Sequence, residues 1–139
     1  MKWIIFALLS AISAALVAIF GKIGVSNIDS TLATTVRAVI MAIFLILVSL
    51  FLNKFSLFKT IDAKAFFFII LAGISGALSW LFYFLALKLG PASGVAALDR
   101  LSVVFVLIFS VLFLSEKLSI NSILGAILIT VGAILMIFK

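Results

Sequence analysis

Apolar residues fill this chain in five long blocks, separated by short clusters of Lys, Asp, Ser, Asn and Gly and by the single proline. The blocks run about Trp3–Ile23, Thr31–Leu52, Ala65–Leu87, Pro91–Leu114 and Ser122–Phe138. Each is ~17–24 residues long, enough for a helix to cross ~30 Å of hydrocarbon. Helices are required there, because every backbone N–H and C=O must find its partner inside the segment. The breaks carry matching punctuation. Asp29 or Ser30 suits the N-cap of the second helix. In Lys88-Leu89-Gly90-Pro91 the glycine suits a helix end and the proline the first turn of the next helix. The pattern predicts an all-α membrane protein, a bundle of five transmembrane helices forming one domain over residues 1–139.

Composition narrows the chemistry. The chain is 68% hydrophobic, against ~45–50% for a soluble domain. Cysteine and histidine are absent, which removes disulfides, thiolate nucleophiles, the usual zinc ligands and histidine proton relays. One tyrosine and scattered serines offer no activated nucleophile beside a base, so no catalytic residue, metal or cofactor is expected and the chain does not read as an enzyme. The net charge of +6 comes from basic residues spread over helix ends, where they meet lipid headgroups. Nucleic acid is not an expected partner, since no dense basic cluster exists.

The informative polar residues are those inside the blocks. Asp99 and Arg100 sit mid-block in Pro91–Leu114, and Arg37 interrupts the second block. A charge at such depth costs ~2.5–3.5 kcal/mol on insertion scales and marks a bundle interior or a wet cavity. Arg37 lies ~10 Å and Asp99 ~12 Å along their helices from the same face, at 1.5 Å per residue. The two are therefore expected to pair, leaving Arg100, about 100° away from Asp99 around the helix, as surplus positive charge. Ser79, Trp80 and Tyr83 of the third helix reach the same third of the membrane. This layer reads as a substrate path favouring an anionic or zwitterionic solute, with a purely structural Arg37–Asp99 bridge as the alternative.

Small residues suggest helix contacts. Gly125 and Gly132 lie two turns apart on the last helix, a smooth stripe able to seat that helix in its own bundle or against another copy. Lysines are only mildly biased between faces. Lys2, Lys54, Lys59, Lys64 and Lys117 share the N-terminal face, against Lys22, Lys88 and Lys139 opposite. That bias is weak enough to permit insertion both ways round.

Several segments together are similar to a known family. Phe84-Leu85-Ala86-Leu87-Lys88-Leu89-Gly90-Pro91-Ala92-Ser93-Gly94-Val95-Ala96 resembles the junction of helices 3 and 4 in EamA-type transporters of the drug/metabolite transporter superfamily. Leu98-Asp99-Arg100-Leu101-Ser102-Val103-Val104-Phe105 resembles the acidic–basic–Leu-Ser-Val segment of short bacterial and archaeal members, as do Ile28–Thr34 and Arg37. Leu112-Phe113-Leu114-Ser115-Glu116-Lys117-Leu118 resembles the family's end of helix 4, with Ser115 in place of its usual glycine. Gly125–Gly132 is similar to the final helix, whose two-glycine stripe mediates dimer contact in small multidrug resistance proteins. Those proteins carry a coupling glutamate in helix 1. Helix 1 here has no acid, so their exchange mechanism is not implied.

Most relatives contain ten helices as two inverted five-helix halves, and this chain corresponds to one half. The resemblance implies an alternating-access transporter of small organic solutes in the cell membrane of a bacterium or archaeon. It also implies an antiparallel homodimer of dual topology, in contact with membrane lipids. A non-transporting scaffold or regulatory subunit, and a translocase for lipid-linked carriers, are the competing functions.

Overall fold

The computed structural model describes residues 2–137. The helices are α1 (Lys2–Gly24), α2 (Ser30–Phe51), α3 (Ala63–Leu89), α4 (Ala92–Asp99), α5 (Ser102–Leu114) and α6 (Ile120–Ile137). A 3-10 helix at Lys54–Thr60 fills the connection after α2. With α4 and α5 taken as one crossing, five segments are long and apolar enough to span a membrane. Among the described residues there is no strand, and the all-α membrane fold expected from the pattern holds. Phe138, the expected end of the last helix, lies outside the described residues.

Local chemistry sets the ends. Asp29 caps α2 by accepting the Leu32 N–H at 2.9 Å. Asp62 does the same for Ala65 at 2.7 Å and starts α3 slightly earlier than the apolar run suggests. Beyond α2, Asn53 turns the chain with φ 53°, a left-handed conformation asparagine tolerates. Ser115 ends α5 with φ 55°, the backbone region that favours glycine.

One boundary departs from the pattern. The block Pro91–Leu114 was expected as one helix, yet it divides between Asp99 and Ser102. Arg100 and Leu101 keep right-handed dihedrals, but bonding tightens: Leu101 N–H donates to the Leu98 carbonyl and Val103 N–H to the Arg100 carbonyl. Such i→i−3 bonding is a 3-10 turn, and a stretch of it within a helix often marks a functional hinge. Apolar periodicity does not register it, because both sides remain hydrophobic.

The chain separates into two compact units, one holding Gly21–Lys88 and the other the chain up to Phe20 with that from Leu89 onward. In the Gly21–Lys88 unit, the end of α1 meets the end of α3. A Cβ on Gly21 would come within 3.1 Å of Leu87 Cδ1 and 3.3 Å of Phe84 Cζ, so a larger residue would make both side chains shift by a few tenths of an ångström. Val25, Phe84 and Leu87 are buried, with Ser30 and Thr34 of α2. In the other unit α6 packs on α4 and α5, burying Ala97, Ser110 and Ala133. Elsewhere large side chains point outward, Phe51 to 91% exposure, as expected for surfaces covered by lipid or by another protein.

Candidate functional site

Arg37 projects from α2 seven residues past its start, about 10 Å into the span. Its guanidinium lies over the Trp80 ring with Cζ 3.6 Å from the centroid, and 5.5 Å from that of Phe84. α3 builds the aromatic support. Trp80 and Tyr83 meet edge-on at 5.4 Å between centroids, and Trp80 and Phe84 at 6.1 Å. Offsets of three and four residues place these rings on one helical face. Phe84, 4% exposed, anchors the group. A cation so placed is attracted by the ring quadrupole, worth ~0.5 to ~2 kcal/mol according to its desolvation.

Stacking occupies the flat face of the guanidinium and leaves its edge donors. Within its unit Arg37 makes no hydrogen bond or ion pair. Serine and threonine neighbours bond their own helix instead: Thr34 Oγ1 donates to the Ser30 carbonyl and Thr35 Oγ1 to the Thr31 carbonyl. A planar, permanently charged fork backed by aromatic rings is suited to a carboxylate or phosphate.

Two lysines fasten the same unit. Lys22 Nζ donates to the Leu87 carbonyl at 2.6 Å, and Lys88 Nζ to the Ile28 carbonyl at 2.9 Å. Lys22 thus satisfies a carbonyl of the last turn of α3, a known use of lysine, and Lys88 one in the connection before α2. Asp29, next to Ile28, is held below the usual carboxylate range, chiefly by the Leu32 backbone hydrogen bond, with Lys88 contributing. Sequence reasoning placed both lysines at helix ends but missed these bonds, and it missed Phe84. Phe84 was readable as the i+4 neighbour of Trp80.

The remaining candidates fall as follows. Ser79 is exposed on α3, one residue before Trp80, with no hydrogen bond inside its unit. Asp99 and Arg100 belong to the other unit, at the joint between α4 and α5. On α6 a Cβ at Gly125 or Gly132 would meet nothing within 4 Å, so the stripe is open. Two clefts lie away from these residues. One, about 310 Å³, is an apolar slot between α5 and α6 including Leu107, Ile123 and Thr130. The other, about 330 Å³, runs beside the 3-10 helix near Ser49, Lys54 and Phe58.

The profile of the EamA-like transporter family matches residues 1–138. The chain belongs to the EamA-like transporter family. It is also 43% identical over 135 residues to a Sinorhizobium protein named "Uncharacterized transporter in cobO 3'region", covering 97% of this chain and 96% of that protein. No solved structure matches it. As an EamA-like protein with five apolar crossings, it is a multi-pass protein of the cell membrane and a membrane transporter. The aromatic-backed Arg37 and the jointed helix of Asp99 are therefore features of a transporter's membrane-spanning helices.

Proposed function

We propose that this single transmembrane domain transports small organic solutes bearing a carboxylate or phosphate, by alternating access, as an antiparallel homodimer. The observation that carries the substrate class is Arg37 stacked on Trp80 and Phe84 with no hydrogen bond or ion pair inside its unit. An arginine inside a membrane span is expensive and is best explained by work on a ligand. Trp80 and Tyr83 supply a wall for the apolar part of the solute, with Ser79 as a further donor. Asp99 and Arg100 complete the charged set in the fourth crossing. Five spans place the two termini on opposite faces, so rebuilding an inverted-repeat architecture takes a second copy inserted the other way. The open Gly125/Gly132 stripe is the surface assigned to that contact, and no enzymatic chemistry is assigned.

Two measurements test this. A ligand-stabilisation screen of purified protein should find carboxylates or phosphates that raise its melting temperature, an effect lost in Arg37→Lys, which keeps the charge without the fork. Stabilisation only by cations or neutral solutes would overturn the substrate class. A one-sided reporter on the C-terminus should give signal on both membrane faces; signal from one face alone would refute the antiparallel dimer.

A further inference from the structure

The connection between α2 and α3 links two spans, so it lies where hydrocarbon gives way to lipid headgroups. It stays at that level, because Asn53 turns the chain with its left-handed φ and the 3-10 helix Lys54–Thr60 packs back on α2. At three residues per turn, side chains three apart eclipse, which sorts the segment into rows. Phe55 and Phe58 form an apolar row that Ile61 extends; Lys54, Leu57 and Thr60 form the second; Ser56 and Lys59 form the third. The cleft of about 330 Å³ is lined by the first two rows and by Ser49 of α2. Phe51, Phe55 and Phe58 are all exposed.

Charge sets this end of the Gly21–Lys88 unit apart from the other. Lys22 and Lys88 donate to backbone carbonyls. Lys54, Lys59 and Lys64 are exposed and make no hydrogen bond or ion pair among the described residues. Lys64 stands in the first turn of α3, where the helix dipole disfavours a cation, so α3 itself gives no reason for it. Asp62, the one acid of the segment, is engaged in capping α3. Ser49 is half-buried and its hydroxyl makes no hydrogen bond among the described residues, whereas Thr34 and Thr35 of the same helix bond their own backbone.

Unpaired ammonium groups beside exposed aromatic rings, held at the edge of the hydrocarbon, match an amphiphile with an anionic head. We propose that this cleft binds an anionic phospholipid. Lys54 and the Ser49 hydroxyl hold its phosphate, and Lys59 and Lys64 add to the attraction. Its acyl chain leaves along Phe51, Phe55 and Phe58. A free phosphate would make no use of the apolar row, and a soluble acidic partner would have to displace headgroups to reach it. A lipid seated there ties together the ends of α2 and α3, the helices that carry Arg37 and Trp80. The site rests on the spans themselves and not on the solute assigned to Arg37.

The test is native mass spectrometry of purified full-length protein in detergent, titrated with phosphatidylglycerol or with phosphatidylcholine of the same acyl chains. Phosphatidylglycerol should half-saturate the protein at a several-fold lower concentration. A lysine near an anionic headgroup is worth roughly a fivefold change in affinity, so Lys54→Gln/Lys59→Gln should raise that concentration about tenfold or more. Lys2→Gln/Lys117→Gln removes the same charge elsewhere and should leave it within about twofold. Phe58→Ser keeps every lysine and should weaken binding several-fold, while glycerol 3-phosphate, a headgroup without chains, should not compete. Should the Lys54/Lys59 variant not accumulate, Lys54→Gln alone must raise the half-saturating concentration several-fold. Equal binding of the two lipids, equal effects of the two lysine pairs, an unmoved Phe58→Ser, or competition by glycerol 3-phosphate at the lipid's own concentration overturns the proposal. Each of those outcomes leaves the transporter reading standing, because that reading is tested by organic solutes and Arg37→Lys.

Discussion

The contact most open to measurement is Arg37 on Trp80. At 3.6 Å from the Trp80 centroid the guanidinium is well inside the ~6 Å reach of a cation–π interaction. Arg37 is half-buried, so the expected strength lies between the exposed and desolvated limits, about 1–2 kcal/mol. Phe84, at 5.5 Å, keeps part of the attraction when Trp80 is removed, which favours the lower half of that range. A double-mutant cycle isolates the pair: Arg37→Met retains the stem, Trp80→Leu retains an apolar filler, and the double variant removes both. For a chain of this size, coupling of that order is a melting-temperature difference of about 3–8 °C between the double variant and the sum of the singles. Thermal unfolding in one fixed detergent gives all four values. Additivity within ~0.3–0.5 kcal/mol would mean no coupling, and with it the aromatic mounting of Arg37 would fail.

Two further outcomes follow from the backbone and the caps. Ser115→Gly should raise the melting temperature by the relief of about 1 kcal/mol of left-handed strain, less the entropy of a freer unfolded chain; a fall would show that the φ of 55° is not the strain it is taken to be. Acidification should remove the stabilisation held by Asp29. Its folded pKa is depressed, so the contribution is present above the unfolded carboxylate value near ~4 and disappears as pH falls through the lower folded value. Asp29→Asn should therefore flatten the acid limb of a stability–pH curve, and an unchanged limb would refute the link.

Much of this protein is written in one dimension. A hydrocarbon slab imposes length and apolarity on any segment that crosses it, so the five blocks located the crossings to within a few residues. Caps such as Asp29 were legible for the same reason, as they act over three residues of chain. Charge inside a span also announces itself, and Arg37, Asp99 and Arg100 stood out without coordinates. The contacts of Arg37 inside its own unit were less legible. The sequence named Asp99, which belongs to the other unit, as its counter-ion; within the Gly21–Lys88 unit packing adds Trp80 and Phe84, because which helix face meets which is decided by contacts such as that at Gly21. The lysine bonds to the Leu87 and Ile28 carbonyls were equally hidden, since they join positions 65 and 60 residues apart. The joint after Asp99 lay beyond periodicity because an extra-tight turn changes hydrogen bonds, not hydrophobicity. Sequence set where the chain crosses the membrane and which residues are out of place there; only the tertiary structure decided what Arg37 touches.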